Sequence, residues 1–192
     1  MITKLEIAYG LLQRSTVPLF QQLVRLKELT LTPDLRGATS PSVEALWPAG
    51  VPVVWLEFCE LDSLCIEAPP AYTRLLPLRA NRVRYLELRG EVLMPDEDPA
   101  DEESFLWPAF TPEDYCLAIK AMIKATPNAQ TLRLNLSHFH EMFAHHLSMF
   151  SLLINIMVHT SEEHIDQELI DYATMRMPRC AWHWGMSEFV LL

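Results

Sequence analysis

Short apolar triplets recur along the first two thirds of the chain with the spacing apolar-x-x-apolar-x-apolar. Their last three positions alternate apolar and polar residues, which predicts short β-strands with one buried face. The five segments are ITKLEI (2–7), LKELTL (26–31), VVWLEF (53–58), VRYLEL (83–88) and AQTLRL (129–134). An alternative register for the third strand lies in FCELDSLCIEA (58–68), through Leu61, Leu64 and Ile66, but it makes the spacing less even.

Helix signals lie between these strands. In TPEDYCLAIKAMIKATPN (111–128), Thr111 is a predicted N-cap and Pro112 occupies the first helical position. Two further helix candidates are STVPLFQQLVRL (15–26) and SPSVEALW (40–47). Strands that alternate with helices are joined by right-handed crossovers, so the sequence predicts an α/β fold with a parallel sheet. A stack of such units bends into a solenoid with the strands on the inside.

The pattern changes in the second half of the chain. Residues 94–104 hold six acids and two prolines without apolar periodicity, which predicts a solvated acidic loop. Residues 139–158 predict one long helix, and residues 161–177 predict a second, amphipathic helix capped by Ser161. Alternation over residues 180–184 predicts a final strand. The predicted organisation is a single domain with strand-helix units over 1–137 and a helical cap with a C-terminal strand over 138–192.

At PNAQTLRLNL (127–136), preceded by the helix candidate CLAIKAMIKA, the chain resembles the leucine-rich-repeat regions of fungal F-box proteins. VVWLEFCELD and NRVRYLELRG are similar to the same unit, and the resemblance covers residues 1–137. It implies an irregular leucine-rich-repeat-like solenoid with a short-stranded parallel sheet. In that family the repeats hold a substrate protein, and a separate F-box module docks to a ubiquitin-ligase adaptor. The chain opens directly on ITKLEIAY, so only the substrate-recognition role is expected here.

The residues between the core leucines are predicted to line an exposed sheet face. The central row of that face is expected to be Glu6, Thr30, Glu57, Glu87 and Arg133. Glu57 and Glu87 would then face each other about 4.8 Å apart as like charges, which favours a basic or mixed protein segment as the partner. In the alternative interpretation, Trp55 and Tyr85 pack under a loop and the glutamates are only solvated. The predicted partner-binding residues are Glu6, Glu28, Trp55, Glu57, Tyr85, Glu87, Arg89 and Arg133.

Four histidines and a glutamate are concentrated in SHFHEMFAHH (137–146). A zinc-protease H-E-x-x-H helix needs two histidines four residues apart, whereas His145 follows His140 by five and is turned about 140° from it. A helix with His138, Glu141 and His145 facing solvent explains the same segment. Glycine-rich phosphate loops and G-x-S-x-G are also missing from the sequence. The prediction is therefore a protein without catalytic residues, metal or cofactor, and the alternative is a small metal-dependent hydrolase that uses residues 138–146.

The overall composition and charge limit the classes of binding partner that are expected. A net charge of -10 and a pI near 5.1 argue against a nucleic acid or an anionic membrane. The four cysteines form no C-x-x-C pair, which is typical of a cytoplasmic or nuclear protein. Apolar runs stay well below the roughly 20 residues of a membrane span. We therefore expect a non-enzymatic protein-interaction module, with self-association through the C-terminal FVLL as a third possibility.

Overall fold

The computed structural model describes residues 2–12, 16–32, 55–68, 70–89, 111–136, 139–160 and 165–186. The strands in this part of the chain are β1 (Lys4–Ala8), β2 (Glu28–Thr32), β3 (Leu56–Glu57), β4 (Ser63–Glu67), β5 (Leu78–Arg79), β6 (Tyr85–Arg89), β7 (Thr131–Leu136), β8 (Asn155–Thr160) and β9 (Ala181–Met186). The helices are α1 (Val17–Phe20), α2 (Pro70–Thr73), α3 (Pro112–Ala125), α4 (Glu141–Leu147) and α5 (Gln167–Arg176), with a 3-10 turn at Tyr9–Leu11.

Seven of the strands form one sheet in the order β1-β2-β4-β6-β7-β8-β9. Every neighbouring pair is parallel, and the spatial order follows the order along the chain. Strands β3 and β5 form a separate two-stranded parallel sheet. The predicted α/β class with a parallel sheet is therefore confirmed.

Alternate residues of the main sheet build the core. Leu29, Leu64, Leu86, Leu132 and Ile156 occupy equivalent register positions on successive strands, and all are buried. Helices α3, α4 and α5 cover this face in sequence, each in contact with the next. Successive strand side chains point to opposite faces. The intervening residues therefore form a second face, which we call the polar face.

Helix α3 shows how local sequence fixes an element. The Thr111 hydroxyl accepts a hydrogen bond from the Asp114 backbone N–H at 3.3 Å, and the Asp114 carboxylate accepts one from the Thr111 N–H at 3.1 Å. This reciprocal capping box satisfies two N–H groups that have no intrahelical partner. Pro112 occupies the first turn, where no backbone donor is needed. The helix predicted over 111–128 is confirmed.

The prediction for the third strand is wrong. Residues 63–67, from the alternative register, pair with β2, and the N–H groups of Asp62 and Ser63 both donate to the Lys27 carbonyl. Leu56 and Phe58 are buried as predicted, but Leu56 belongs to the small sheet beside Leu78. Even spacing was a poor criterion because the connections between units differ in length.

The single helix predicted over 139–158 is also wrong. Helix α4 ends at Leu147, and β8 begins at Asn155 with Ile156 and Val158 buried and Ile154 exposed. This period-two burial requires a strand. The final predicted strand is confirmed as β9. Strand β8 is the one that the prediction lacks, and with β9 it continues the main sheet through the region expected to form a helical cap.

The remaining helix predictions have mixed outcomes. The helix predicted over 15–26 is reduced to the single turn α1. Helix α5 lies inside the predicted 161–177, and its N-cap is Asp166, whose carboxylate accepts from the Glu168 N–H at 3.0 Å. The predicted helix at 40–47, the acidic loop at 94–104 and the Ser161 cap lie outside the described residues.

Candidate functional site

The polar face is ordered by the register of the main sheet. Its central row, one residue from each strand, is Glu6, Thr30, Cys65, Glu87, Arg133, Met157 and His183. Of the predicted partner-binding residues, six lie on this face: Glu6, Glu28, Tyr85, Glu87, Arg89 and Arg133. Glu87 is the only one of them that is buried.

Glu87 is the centre of a polar cluster. Its side chain is only 8% exposed, and its Oε1 accepts a hydrogen bond from Arg89 Nε at 2.8 Å. The Tyr85 hydroxyl donates to Oε2 at 3.2 Å, and Asn135 Nδ2 lies 3.4 Å from Oε1. Arg133 Nε forms a longer ion pair with Oε1 at 3.8 Å. A buried carboxylate needs such partners, since an unpaired buried charge is strongly unfavourable.

Arg89 links this cluster to the next strand. Its Nη1 lies 3.2 Å from Glu67 Oε2, so one guanidinium bridges carboxylates on β4 and β6. Burial alone would lower the pKa of Arg89, but the hydrogen bond to Glu87 and the nearby negative charges raise it above its ordinary value. The arginine is therefore a permanently charged and fixed part of the face.

Two neighbouring groups respond to the same environment. Burial, followed by the negative charge of Glu87, raises the pKa of the Cys65 thiol to about 11. Burial and the Glu87 charge likewise raise the pKa of Tyr85. Both side chains stay neutral at physiological pH, so Cys65 is unsuited to act as a nucleophile, which requires the thiolate.

The two ends of the polar face differ. At the β1 end, Lys4 Nζ and Glu28 Oε2 form an exposed ion pair at 3.0 Å. Glu6 is exposed and has no ion pair within the described part of the chain. At the β9 end, the His159 imidazole lies beside Gly185, and its Nδ1 would be in ordinary van der Waals contact, at 3.6 Å, with a Cβ added there. The face thus changes from acidic to imidazole-bearing side chains along the sheet.

Trp55 and Glu57 do not belong to the polar face, which corrects their predicted position. Glu57 Oε1 pairs with Arg79 Nη1 at 3.5 Å, and the Arg79 guanidinium lies 4.6 Å from the centroid of the Trp55 ring. The N–H of Ala80 donates to the Ala125 carbonyl at the end of α3, which places the small sheet in the helix layer. The predicted facing pair of Glu57 and Glu87 is therefore wrong, and Cys65 occupies the position beside Glu87.

Sequence reasoning missed the residues contributed by β4, β8 and β9. They are Cys65, Glu67, Met157, His159 and His183. Two signals identify the first four: the alternation S-L-C-I-E in the alternative register, and the alternation N-I-M-V-H-T at the end of the predicted long helix. His183 lies on the predicted final strand, but nothing in the sequence places that strand beside β8.

The histidine-rich segment is divided between several roles. His140 is the N-cap of α4, and its Nδ1 accepts from the Met142 N–H at 3.2 Å. His145 Nδ1 lies 2.8 Å from Arg176 Nη2 on α5. His146 is buried, and burial, together with the charges of Lys120 and His145, lowers its pKa. His138 is outside the described residues, and those that are described contain no group of three or more histidine, cysteine, aspartate or glutamate side chains placed to hold a metal.

Comparisons with known proteins do not assign the chain to a family. No protein-family model matches it, and no curated protein matches it. In the described part of the chain, no helix is both long enough and apolar enough to cross a membrane. The polar face, with its fixed central cluster, is therefore the feature on which a function can be based.

Proposed function

We propose that the protein is a non-enzymatic protein-protein interaction module, built as an irregular leucine-rich-repeat-like solenoid. The strict chain order of the parallel strands supports this architecture, because each unit then contacts only its neighbours. The in-register leucines support it further, since each repeat contributes equivalent residues to one continuous core. In this proposal the partner binds across the polar face.

The cluster around Glu87 is the observation that carries the proposal. Glu87 holds Arg89 and Tyr85 in fixed positions, while 40% of the Arg89 side chain remains accessible. Fixing side chains before binding reduces the conformational entropy lost on association. Tyrosine and arginine are also the residue types that most often anchor protein interfaces. A rigid, partly exposed centre of this kind suits recognition of a protein surface.

The β1 end of the face supports a basic segment in the partner. Glu6 and Glu28 are exposed carboxylates on adjacent strands, and Glu28 is balanced by one lysine. Glu87, in contrast, is buried and already paired with two arginines, so it is not available to a partner cation. The basic segment is therefore proposed to lie over β1 and β2.

The cellular role that we propose is recognition of a substrate protein for a ubiquitin ligase, in the cytoplasm or the nucleus. It rests on the resemblance at residues 127–136 and on the face described above. The net charge of -10 supports a basic protein segment over nucleic acid as the ligand.

Photo-crosslinking tests the proposed surface. A photoreactive phenylalanine analogue is placed at Thr30, in the central row of the polar face on β2, and a matched control carries it at Glu57 in the small sheet. Irradiation in the cells that make the protein is expected to give a discrete protein adduct from position 30 and none of that mass from position 57. An identical adduct pattern from the two positions would remove the support for the polar face.

A further inference from the structure

The carboxylates of the polar face are confined to one half of it. Its four carboxylates, Glu6, Glu28, Glu67 and Glu87, all lie on β1, β2, β4 and β6. The cations of that half, Lys4 and Arg89, are already paired with these carboxylates. Strands β7, β8 and β9 contribute no carboxylate to this face, and β7 contributes the cation Arg133. A partner complementary to the whole face therefore needs opposite charges at its two ends.

Arg133 is the cation with unused binding capacity. Arg89 has carboxylate oxygens at 2.8 Å and 3.2 Å, on Glu87 and Glu67. The nearest carboxylate oxygen to Arg133 among the described residues is 3.8 Å from its Nε, which is buried and has no hydrogen-bond partner there. The terminal Nη groups are therefore the donors that an external anion would have to use. The other polar neighbour of Arg133 is the Tyr85 hydroxyl.

The surroundings of Arg133 leave it accessible to an external anion. Its side chain is 37% exposed, and its register neighbour on β8 is the uncharged Met157. A guanidinium offers five donors in a planar arrangement that matches a carboxylate. The oxygens of Glu87 are already occupied by closer donors, so they cannot fully satisfy Arg133.

We propose that Arg133 binds an acidic side chain of an extended partner segment whose basic end lies over β1 and β2. This inference rests on the proposed function of the polar face. Glu6 and Arg133 stand four strands apart in the sheet, a distance of about 19 Å at the usual strand separation. An extended chain rises about 3.3 Å per residue, so the basic and acidic residues of the partner are separated by about six positions.

Selection from a displayed library of random 12-residue peptides tests this proposal without a known partner. Peptides are selected on the wild-type protein and then measured on Arg133→Gln, which removes the charge without placing a second carboxylate beside Glu87. Arg79→Gln is the matched control, because Arg79 belongs to the small sheet and also pairs with a single glutamate. A set of peptides is expected to bind Arg133→Gln about tenfold or more weakly than the wild type and to bind Arg79→Gln with unchanged affinity. The tenfold loss is the size expected when a hydrogen bond to a charged group is removed.

Met157→Glu is a second variant that keeps the test decisive if Arg133→Gln folds poorly. It places a carboxylate of the protein itself next to Arg133. That carboxylate is expected to pair with Arg133, so the same peptides should no longer bind. The peptides that fail to bind this variant should be enriched in aspartate or glutamate about six positions from lysine or arginine. Folding of each variant is checked by its urea unfolding midpoint.

The outcomes separate this inference from the proposed function. Peptides that bind the polar face are those that no longer bind the Thr30→Arg variant. If such peptides are found, but those that depend on Arg133 are not enriched in aspartate or glutamate, the charge arrangement of the partner is refuted and the binding face stands. If no selected peptide is affected by Thr30→Arg, Arg133→Gln or Met157→Glu, both the inference and the proposed face are refuted.

Discussion

Replacing Glu87 with alanine should destabilise the protein far more than an ordinary surface substitution. The change removes the acceptor of the Arg89 hydrogen bond at 2.8 Å and of the Tyr85 hydrogen bond at 3.2 Å. It also leaves Arg89 and Arg133 as like charges on adjacent strands without the carboxylate between them. The cluster would lose its only buried charge and keep two cations.

The expected cost follows from the exposure of these groups. Breaking a fully buried ion pair by removing one partner costs roughly 3–5 kcal/mol. Water can partly replace the lost contacts here, since the two arginine side chains remain 40% and 37% exposed. We therefore expect a loss of about 2–3 kcal/mol for Glu87→Ala. Glu87→Gln keeps the shape and one acceptor oxygen, so about 1–2 kcal/mol is expected.

Urea unfolding measures this cost. With a slope of about 2 kcal/mol/M, the Glu87→Ala midpoint should fall by about 1 M or slightly more at an unchanged slope. Glu57→Ala is the matched control: its side chain is 64% exposed, and a single surface ion pair contributes only about 0–1 kcal/mol. Equal midpoints for Glu87→Ala and Glu57→Ala would refute the view that Glu87 organises the face.

Three further predictions concern the core, a helix end and a thiol. Leu134→Ala should cost about 2–5 kcal/mol in urea unfolding because Leu134 is buried, whereas exposed Leu117 should tolerate the same change. Thr111→Ala should cost about 1 kcal/mol through loss of the α3 capping box, and a loss near zero would contradict that role. In the native protein at pH 8, iodoacetamide should modify exposed Cys59 well before Cys65, whose pKa of about 11 keeps it protonated; peptide mapping that finds Cys65 modified first would contradict this.

The sequence predicts five strands of the main sheet: β1, β2, β6 and β7, whose apolar core residues alternate with polar ones, and β9, from the alternation over residues 180–184. The sequence alone does not distinguish Ser63–Glu67 from the segment with Leu56 and Phe58, because both alternate equally well and both bury their apolar residues. Strand β8 was missed because LSMFSLLINIMV is apolar at nearly every position. Leu152 and Ile154, which are exposed in the structure, extend this apolar run and obscure the alternation of N-I-M-V-H-T that follows.

The candidate site could be predicted in part. Tyr85, Glu87, Arg89 and Arg133 were placed on one face, since they alternate with core leucines on two reliable strands. Their mutual geometry could not be predicted, because it depends on which strand lies beside β6. In the predicted arrangement, Glu57 lies beside Glu87 and the two carboxylates repel each other. In the structure, Cys65 occupies that position, and the single buried carboxylate of Glu87 is balanced by Arg89 and Arg133.

The most direct test of the polar face is the affinity of the protein that crosslinks at Thr30, measured by calorimetry with two charge-reversal variants. Glu6→Lys and Glu57→Lys change the net charge equally, and both positions are exposed, but only Glu6 lies on the polar face. We predict that Glu6→Lys weakens binding about tenfold or more, while Glu57→Lys leaves it nearly unchanged. Equal affinities for the two variants, or a larger loss with Glu57→Lys, would contradict the proposed binding face.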